Sequence, residues 1–438
     1  MKKKFKWTNA SVLNFAEGAD PVAVMESRAR ELVLGAIDEG WSGPPFDPLE
    51  LARWLDIPTE ARGDIPDART VPHGEGLLRL EYNPMRPRGR LRFSIAHEIA
   101  HSLFADCADE IRHRDGVSAT AADNWQLEVL CNIGAAELLM PLGSFSELAG
   151  EELSIQSVAE LRRRFDVSVE ACLIRLTKLA RQPCAAFCAS LHEDGQYRLD
   201  YVIPAPGWAS PAFPGQAVSP DSVILEANAI GYTAIGRELW GGKHPMRVEC
   251  IGLAPYPGAV VPRVVGLLIS ETAEDYHAPE ITDLTGDALS PRGKGPKIVA
   301  HIVPDVGAPW GGKGFAAQVR RRFPAVWQQY KAELTVKGRP PKLGETFVAD
   351  LGDDVTIVHM VAQKGIGPSV QQRLRYAALA KCLGTVGGLA KDLGASVHMP
   401  RIGTGHGGAS WPLVKELVTE QLVEEGVAVT VYSLPRAG

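Results

Sequence analysis

The chain has 438 residues, 45% hydrophobic and 22% charged, with a net charge of −6. That length suits about three domains of ordinary globular composition, and the acidic balance excludes a protein basic enough to coat nucleic acid, while leaving room for a local basic patch. The 7 cysteines are scattered without a C-x-x-C pair, which points to a reducing cytoplasm, and no apolar run is long enough for a bilayer, which argues against a membrane partner.

Residues 1–6 are basic but lack an apolar core behind them and read as a solvated tail. Residues 21–37 predict an amphipathic helix with Val24, Ala29, Leu32, Val33 and Ala36 on its apolar side. Asp47 is a cap for the next helix, with Pro48 at its first position and Leu51, Trp54 and Leu55 inward. Residues 76–82 alternate as a strand, and such a strand just before a helix can offer an edge to an extended peptide. The run 91–94 then leads into a helix holding His97, Glu98 and His101, an H-E-x-x-H pattern. Residues four apart share a helix face, so the two imidazoles can share one Zn²⁺ with Glu98 beside its open position as general base. Ile95, Ile99 and Leu103 give this helix an apolar face, and Ala96 and Ala100 allow close packing. The third ligand best placed by pattern is Glu128, which shares a helix face with Asn132 four residues on. Asn132 is then an acceptor for a ligand imidazole. His113, Asp106 and Asp123 are rival third ligands in or near a loop. Cys107, Cys131 and Cys172 fall in predicted helices as buried thiols.

The string from Arg90 to Phe104, the E-x-x-x-N of Glu128 to Asn132 and the following Ala136 to Pro141 resemble the ImmA/IrrE family of bacterial zinc metallopeptidases. The resemblance spans roughly 21–141 and implies a gluzincin-like fold, mostly helical with a small sheet. It implies His97, His101 and Glu128 as zinc ligands, Glu98 as base, and a protein substrate such as a transcriptional repressor. Cys131 departs from the family's usual Ala before the Asn.

Residues 154–180 predict two helices around a turn at 166–168, capped by Ser168. The pair is helix-turn-helix-like, as expected downstream of such a peptidase. Arg162, Arg163 and Arg164 precede the turn and are diluted by Glu160, Asp166 and Glu170, so direct DNA reading ranks below packing or substrate docking. Strands at 184–191, 197–203, 248–253 and 261–269, with a partly helical 222–239, predict a small α+β domain that loosely resembles a sensory region.

From residue 279 strands and helices alternate. Strands are expected at 297–303, 346–351, 356–361, 396–400 and 427–434, with helices at 314–331, 371–393 and 411–425. This is a three-layer α/β sheet with ligands at the carboxyl ends of its strands. The glycine run 307–314 falls short of a P-loop because Gly314 stands where Mg²⁺ binding needs Ser or Thr. A second glycine loop covers 401–408, and two such loops suit a diphosphate. The segments 283–287, 311–314 and 397–405 resemble a macro domain of the terminal ADP-ribose glycohydrolase and DarG branch, over about 281–435. The resemblance implies ADP-ribose, or an ADP-ribosylated macromolecule, as partner. It places Asp287 at the adenine amine and Gly311, Gly312, Gly314, Gly403, Thr404, Gly405 and His406 around the diphosphate and distal ribose. The branch's catalytic lysine aligns with Gln363, with Lys364 as a substitute, and its catalytic Asp aligns with Gly407; His301 stands where many macro hydrolases place Asn. These departures favour binding over hydrolysis.

The expected organisation is a peptidase over 1–150, a helix-turn-helix-like segment over 151–182, a small α+β domain over 183–277 and a macro domain over 278–438. The expected function is a cytoplasmic zinc endopeptidase coupled to ADP-ribose sensing. The alternatives are an ADP-ribosyl hydrolase with a regulatory peptidase-like part, and a non-proteolytic DNA-binding regulator.

Overall fold

A computed structural model describes residues 7–73, 77–107, 124–141, 153–242, 244–255, 260–271, 280–307, 310–312, 314–352, 354–367, 369, 371–405 and 407–434. The chain divides into two compact units, Met1–Ala36 with Trp41–Ala278, and Ile37–Gly40 with Pro279–Gly438.

The first unit opens with helices α1 (Ala10–Ala16), α2 (Pro21–Asp38) and α3 (Pro48–Trp54). Asp47 caps α3 by accepting from the Leu49 N–H, with Pro48 at the first position. Leu51 is buried, but Trp54, expected inward, is 41% exposed. Its ring edge lies over Gly35 of α2, which has no side chain to cover it. The strands β1 (Thr59–Ala61), β2 (Ala68–Pro72) and β3 (Leu78–Tyr82) form a sheet in the order β1-β3-β2. β3 runs parallel to β1 and antiparallel to β2. The expected edge strand is thus the central one, and β2 is an edge. β1 and β2 are short and lack the alternation that exposed β3.

The H-E-x-x-H helix, α4 (Arg88–His101), starts before residue 91, immediately after Pro87. It packs on α5 (Asn124–Leu139). Met25, Ala100, Phe104, Cys107, Leu127, Leu130 and Cys131 share one core there with Val12 and Phe15 of α1. Gly134 makes the approach possible. A Cβ at that position would lie 2.8 Å from Met25 Sδ and 2.9 Å from Ala100 Cβ, closer than close packing allows.

The two helices expected next are α6 (Ile155–Phe165) and α7 (Val169–Leu179), capped by Ser154 and Ser168. A five-stranded antiparallel sheet follows, built from β4 (Cys184–Leu191), β5 (Tyr197–Pro204), β6 (Thr233–Glu238), β7 (Met246–Leu253) and β8 (Arg263–Ser270) in the order β5-β4-β8-β7-β6. The stretch 222–239 contains one helical turn, α8 (Val223–Glu226), and then strand β6. Gly236 of β6 sits under Val223 of α8, where a Cβ would come within 2.5 Å of Val223 Cγ1.

The second unit is a six-stranded sheet flanked by helices. Its strands are β9 (Thr282–Thr285), β10 (Lys297–Pro304), β11 (Thr346–Asp350), β12 (Val355–Gln363), β13 (Ser396–Pro400) and β14 (Val429–Ser433). The order is β11-β12-β10-β13-β14-β9, with only the β11–β12 pair antiparallel. The single helix expected over 314–331 is two, α9 (Phe315–Arg322) and α10 (Pro324–Lys337). Pro324 has no N–H to continue the first and suits the first turn of the second. α11 (Tyr376–Leu393) starts later than residue 371, because the Arg373 and Leu374 N–H groups both donate to the Gly407 carbonyl. α12 (Trp411–Val418) gives way to a π turn over Thr419–Val423. Val299, Val303, Val319, Val326, Tyr330, Phe347, Ile357 and Val361 build one core layer of this sheet. The parallel arrangement brings the carboxyl ends of β10, β12 and β13 to one side, beside the glycine loops.

Candidate functional site

His97, His101 and Glu128 converge. One potential ligand atom from each lies within 4.8 Å of the others. His97 Nε2 is 3.1 Å from both Glu128 Oε2 and His101 Nε2, and His101 Nε2 is 3.7 Å from Glu128 Oε1. α4 supplies both imidazoles at i and i+4, and α5 supplies Glu128 across the Gly134 contact. Asn132, one turn beyond Glu128, sits 2.9 Å from His97 Nδ1 through its Oδ1. A carbonyl oxygen accepts only, so Nδ1 carries the proton and Nε2 presents its lone pair toward a carboxylate oxygen and a second imidazole nitrogen. At that distance a proton or a metal cation must lie between these atoms, and two imidazole nitrogens with one carboxylate oxygen are a zinc donor set. Burial opposes protonation of His97, but Glu128 and the charge of Glu98 outweigh it and raise its pKa. Of the rival ligands, Asp106 is not in this cluster, and His113 and Asp123 lie outside the described residues.

Glu98 points to the strand side of α4. Its Oε2 accepts from the Thr70 N–H and the Thr70 hydroxyl, both at 2.8 Å. Burial raises its pKa, and the two bonds from Thr70 act against that rise. Thr70 was not singled out in the sequence. A threonine in a short strand carries no pattern, and its pairing with Glu98 is visible only once β2 lies beside α4.

Every residue of α7 is buried or half-buried, with Cys172, Leu173, Arg175, Leu176 and Thr177 in the interior. Arg175 approaches the buried Glu137 of α5 at 3.4 Å, with Arg30 at 3.7 Å. Burial disfavours the Glu137 charge, but Arg175 and Arg30 together hold its carboxyl below the ordinary range. Arg162, Arg163 and Arg164 are exposed at the end of α6.

In the second unit a cavity of about 600 Å³ opens between the glycine loops. Gly311, Gly312, Gly314, Gly403 and Gly405 line it, as do Gln363 and His301. Arg401 is the charged side chain in that lining among the described residues, and its guanidinium stacks on Trp411. His301 is buried with Nε2 2.6 Å from His359 Nδ1, and burial pushes its pKa down to about 3, so it is neutral. The Gln363 amide donates to the Gly365 carbonyl at 3.0 Å. Lys364 is exposed, and neither Lys364 nor Thr404 is in the lining. Thr404 instead donates to the Arg401 carbonyl. Asp287 also lies outside the lining. Its carboxylate accepts from the Leu289 N–H at 2.9 Å and from Arg322 at 3.0 Å. His406 lies outside the described residues. A Cβ at Gly407 would meet the Gly403 carbonyl oxygen at 2.5 Å, so this position has no room for any side chain in the present loop.

Residues 64–177 match the Peptidase M78 family model, the IrrE N-terminal-like domain, and residues 308–418 match the Macro domain model. A radiation response metalloprotease IrrE from Deinococcus deserti is 32% identical over 184 residues, covering 40% of this chain and 62% of that protein. A mouse chromodomain-helicase-DNA-binding protein 1-like is 29% identical over 173 residues, covering 37% of this chain and 19% of that protein. The chain therefore spans less than two thirds of either curated relative. A macrodomain protein from Streptomyces coelicolor is 34% identical, with 35% of this chain and 99% of that structure covered at a TM-score of 0.31. The macrodomain of Thermus aquaticus DarG is 28% identical, with 35% and 98% covered at a TM-score of 0.29.

Proposed function

With an IrrE-like metallopeptidase domain toward its N-terminus and a macro domain toward its C-terminus, we propose that the chain is a cytoplasmic zinc endopeptidase. Its substrate is a regulatory protein such as a transcriptional repressor, and its macro domain binds ADP-ribose or an ADP-ribosylated macromolecule as the input. The domains run as peptidase 1–150, helix pair 151–182, small α+β domain 183–277 and macro domain 278–438. The observation that carries the peptidase reading is the convergence of His97, His101 and Glu128, with the His97 tautomer set by Asn132. These three residues would hold the metal. Bound there, zinc supplies Lewis acidity that activates water and polarises a peptide carbonyl. Glu98 takes the proton from the attacking water and passes it to the leaving amine.

The pocket supports binding over hydrolysis. Gln363 is neutral, His301 is neutral, Lys364 is exposed, and Gly407 leaves no space for a carboxylate. Main-chain N–H groups of the glycine loops and the start of α9 suit a diphosphate. DNA reading through α7 is disfavoured by the burial of that helix.

The test is cleavage of a co-encoded repressor by purified protein, with and without saturating ADP-ribose. Wild type is expected to cut and Glu98→Gln is not, while ADP-ribose changes the rate or the site. An unchanged rate and site in ADP-ribose would remove the coupling, and equal cutting by Glu98→Gln would remove the peptidase assignment. Release of ADP-ribose from modified protein or DNA would favour the hydrolase alternative, and its loss in Lys364→Ala would assign that activity to Lys364.

A further inference from the structure

The main chain of β2 decides how Glu98 is held. Thr70 pairs with Leu80 across the sheet, yet the Leu80 N–H donates to the Pro58 carbonyl on the opposite side of β3. Flanking pairs close toward β3, since Asn83 N–H donates to Asp67 and His73 N–H to Leu77. Antiparallel pairs alternate in this way, so the Thr70 main chain faces outward on the edge of this sheet among the described residues. Pro72, the next outward position, has no N–H. The Thr70 N–H is therefore an outward edge donor, and it is spent on Glu98 rather than left to pair with another strand. The hydroxyl of the same residue reaches the same carboxylate oxygen.

We propose that Thr70 is the positioning residue for the catalytic base. Its two donors fix Glu98 Oε2 to strand β2, so that Oε1 is the oxygen left to work at the metal. The inference rests on the peptidase reading for the word catalytic, but the clamp itself does not. Two donors on one oxygen remove rotation about the last side-chain torsion of Glu98, which a single bond permits. The second donor is the replaceable one, because the backbone N–H survives any substitution other than proline.

The experiment compares full-length wild type, Thr70→Val, Thr70→Ser and Glu98→Gln. Valine keeps the shape and the N–H and loses the hydroxyl, and serine restores it. Cleavage of a random decapeptide mixture, read by mass spectrometry, reports kcat and KM on the most readily cut member. Zinc content is measured on each variant. The visible spectrum of the cobalt-substituted protein reports the metal surroundings without any substrate. Thr70→Val is expected to keep its zinc and its KM, to lose about tenfold in kcat as part of the base contribution, and to shift the cobalt spectrum in the direction of Glu98→Gln. Thr70→Ser should return all three to wild type. A Thr70→Val protein with the wild-type cobalt spectrum overturns the clamp. So does a loss confined to KM or to zinc content. If the wild type cuts no decapeptide, the cobalt comparison alone decides whether Thr70 holds Glu98, and the peptidase reading is decided separately by cleavage of the repressor.

Discussion

The H-E-x-x-H helix and the glycine-loop cavity are built on different plans. At the first, the converging groups are side chains, and four of them come as i, i+4 pairs, His97 with His101 and Glu128 with Asn132, on two helices packed through Gly134. At the second, glycine is the commonest residue in the lining, beside apolar side chains such as Trp310, Phe315 and Ile402, and the one charged side chain there among the described residues is Arg401. A side-chain site is destroyed by removing an atom, whereas a backbone site is destroyed by adding one. The largest effect is expected at the first site. Glu98→Gln should retain zinc and lose about 10²- to 10⁴-fold in kcat, the range for a general base. His101→Ala should lose zinc as well, as metal analysis will show. Neither should change ADP-ribose affinity measured by titration calorimetry.

Gly403 tests the second plan by addition. Its φ is +77°, and a Cβ there would meet Leu374 Cδ2 at 3.1 Å and Ala409 Cβ at 3.2 Å. Gly403→Val should weaken ADP-ribose binding by about tenfold or more, in keeping with the cost of strained backbone and overpacking, and leave zinc content untouched. Equal binding would mean that this loop does not form the ligand site.

Acid should separate the two units. His398 is buried beside Tyr432 and Ser396, and burial holds its pKa down at about 4, with His301 at about 3. Each folded pKa lies below the ordinary 6.5, so the unfolded chain binds more protons once pH falls under 6.5. Stability from these groups is present above pH 6.5 and is lost as pH falls toward 4, at a limit of about 1.4 kcal/mol per pH unit per histidine. Glu137 in the first unit behaves differently. Its carboxyl is held below the ordinary range, so its contribution is present above about 4.3 and lost only at lower pH. Urea melts of the full chain between pH 7 and 4.5, with hydrogen exchange to assign the transitions, should show β13 weakening first. His398→Gln should flatten that slope.

The smallest effect is expected at Lys364. It is exposed and outside the cavity lining, so Lys364→Ala should leave the ADP-ribose Kd within about twofold, as for an ordinary surface substitution.

What could be read from the chain alone follows the same division. His97, His101, Glu128 and Asn132 were legible because a helix converts spacing into direction. Asp47 before Pro48, and Ser168 before α7, were legible because a cap is a local bond. Thr70 was not, because its partner is 28 residues away and the strand that carries it has no alternation. The central position of β3 depends on two short neighbours of the same kind. Pro324 marked a helix break that the apolar spacing of Val319 and Val326 overrode. The partners of Asp287 in the folded chain were not legible either. The resemblance assigns it to a ligand, while its carboxylate is bonded to Arg322 and the Leu289 N–H, and no local pattern announces a partner 35 residues away.

The proposed function stands on His97, His101 and Glu128 forming one zinc site. X-ray absorption at the zinc edge of the loaded full-length protein tests it most directly. Two imidazole nitrogens and a carboxylate oxygen are expected at about 2.0–2.2 Å, with the carboxylate contribution lost in Glu128→Ala. A sulfur shell at about 2.3 Å, or a spectrum that Glu128→Ala leaves unchanged, would contradict it.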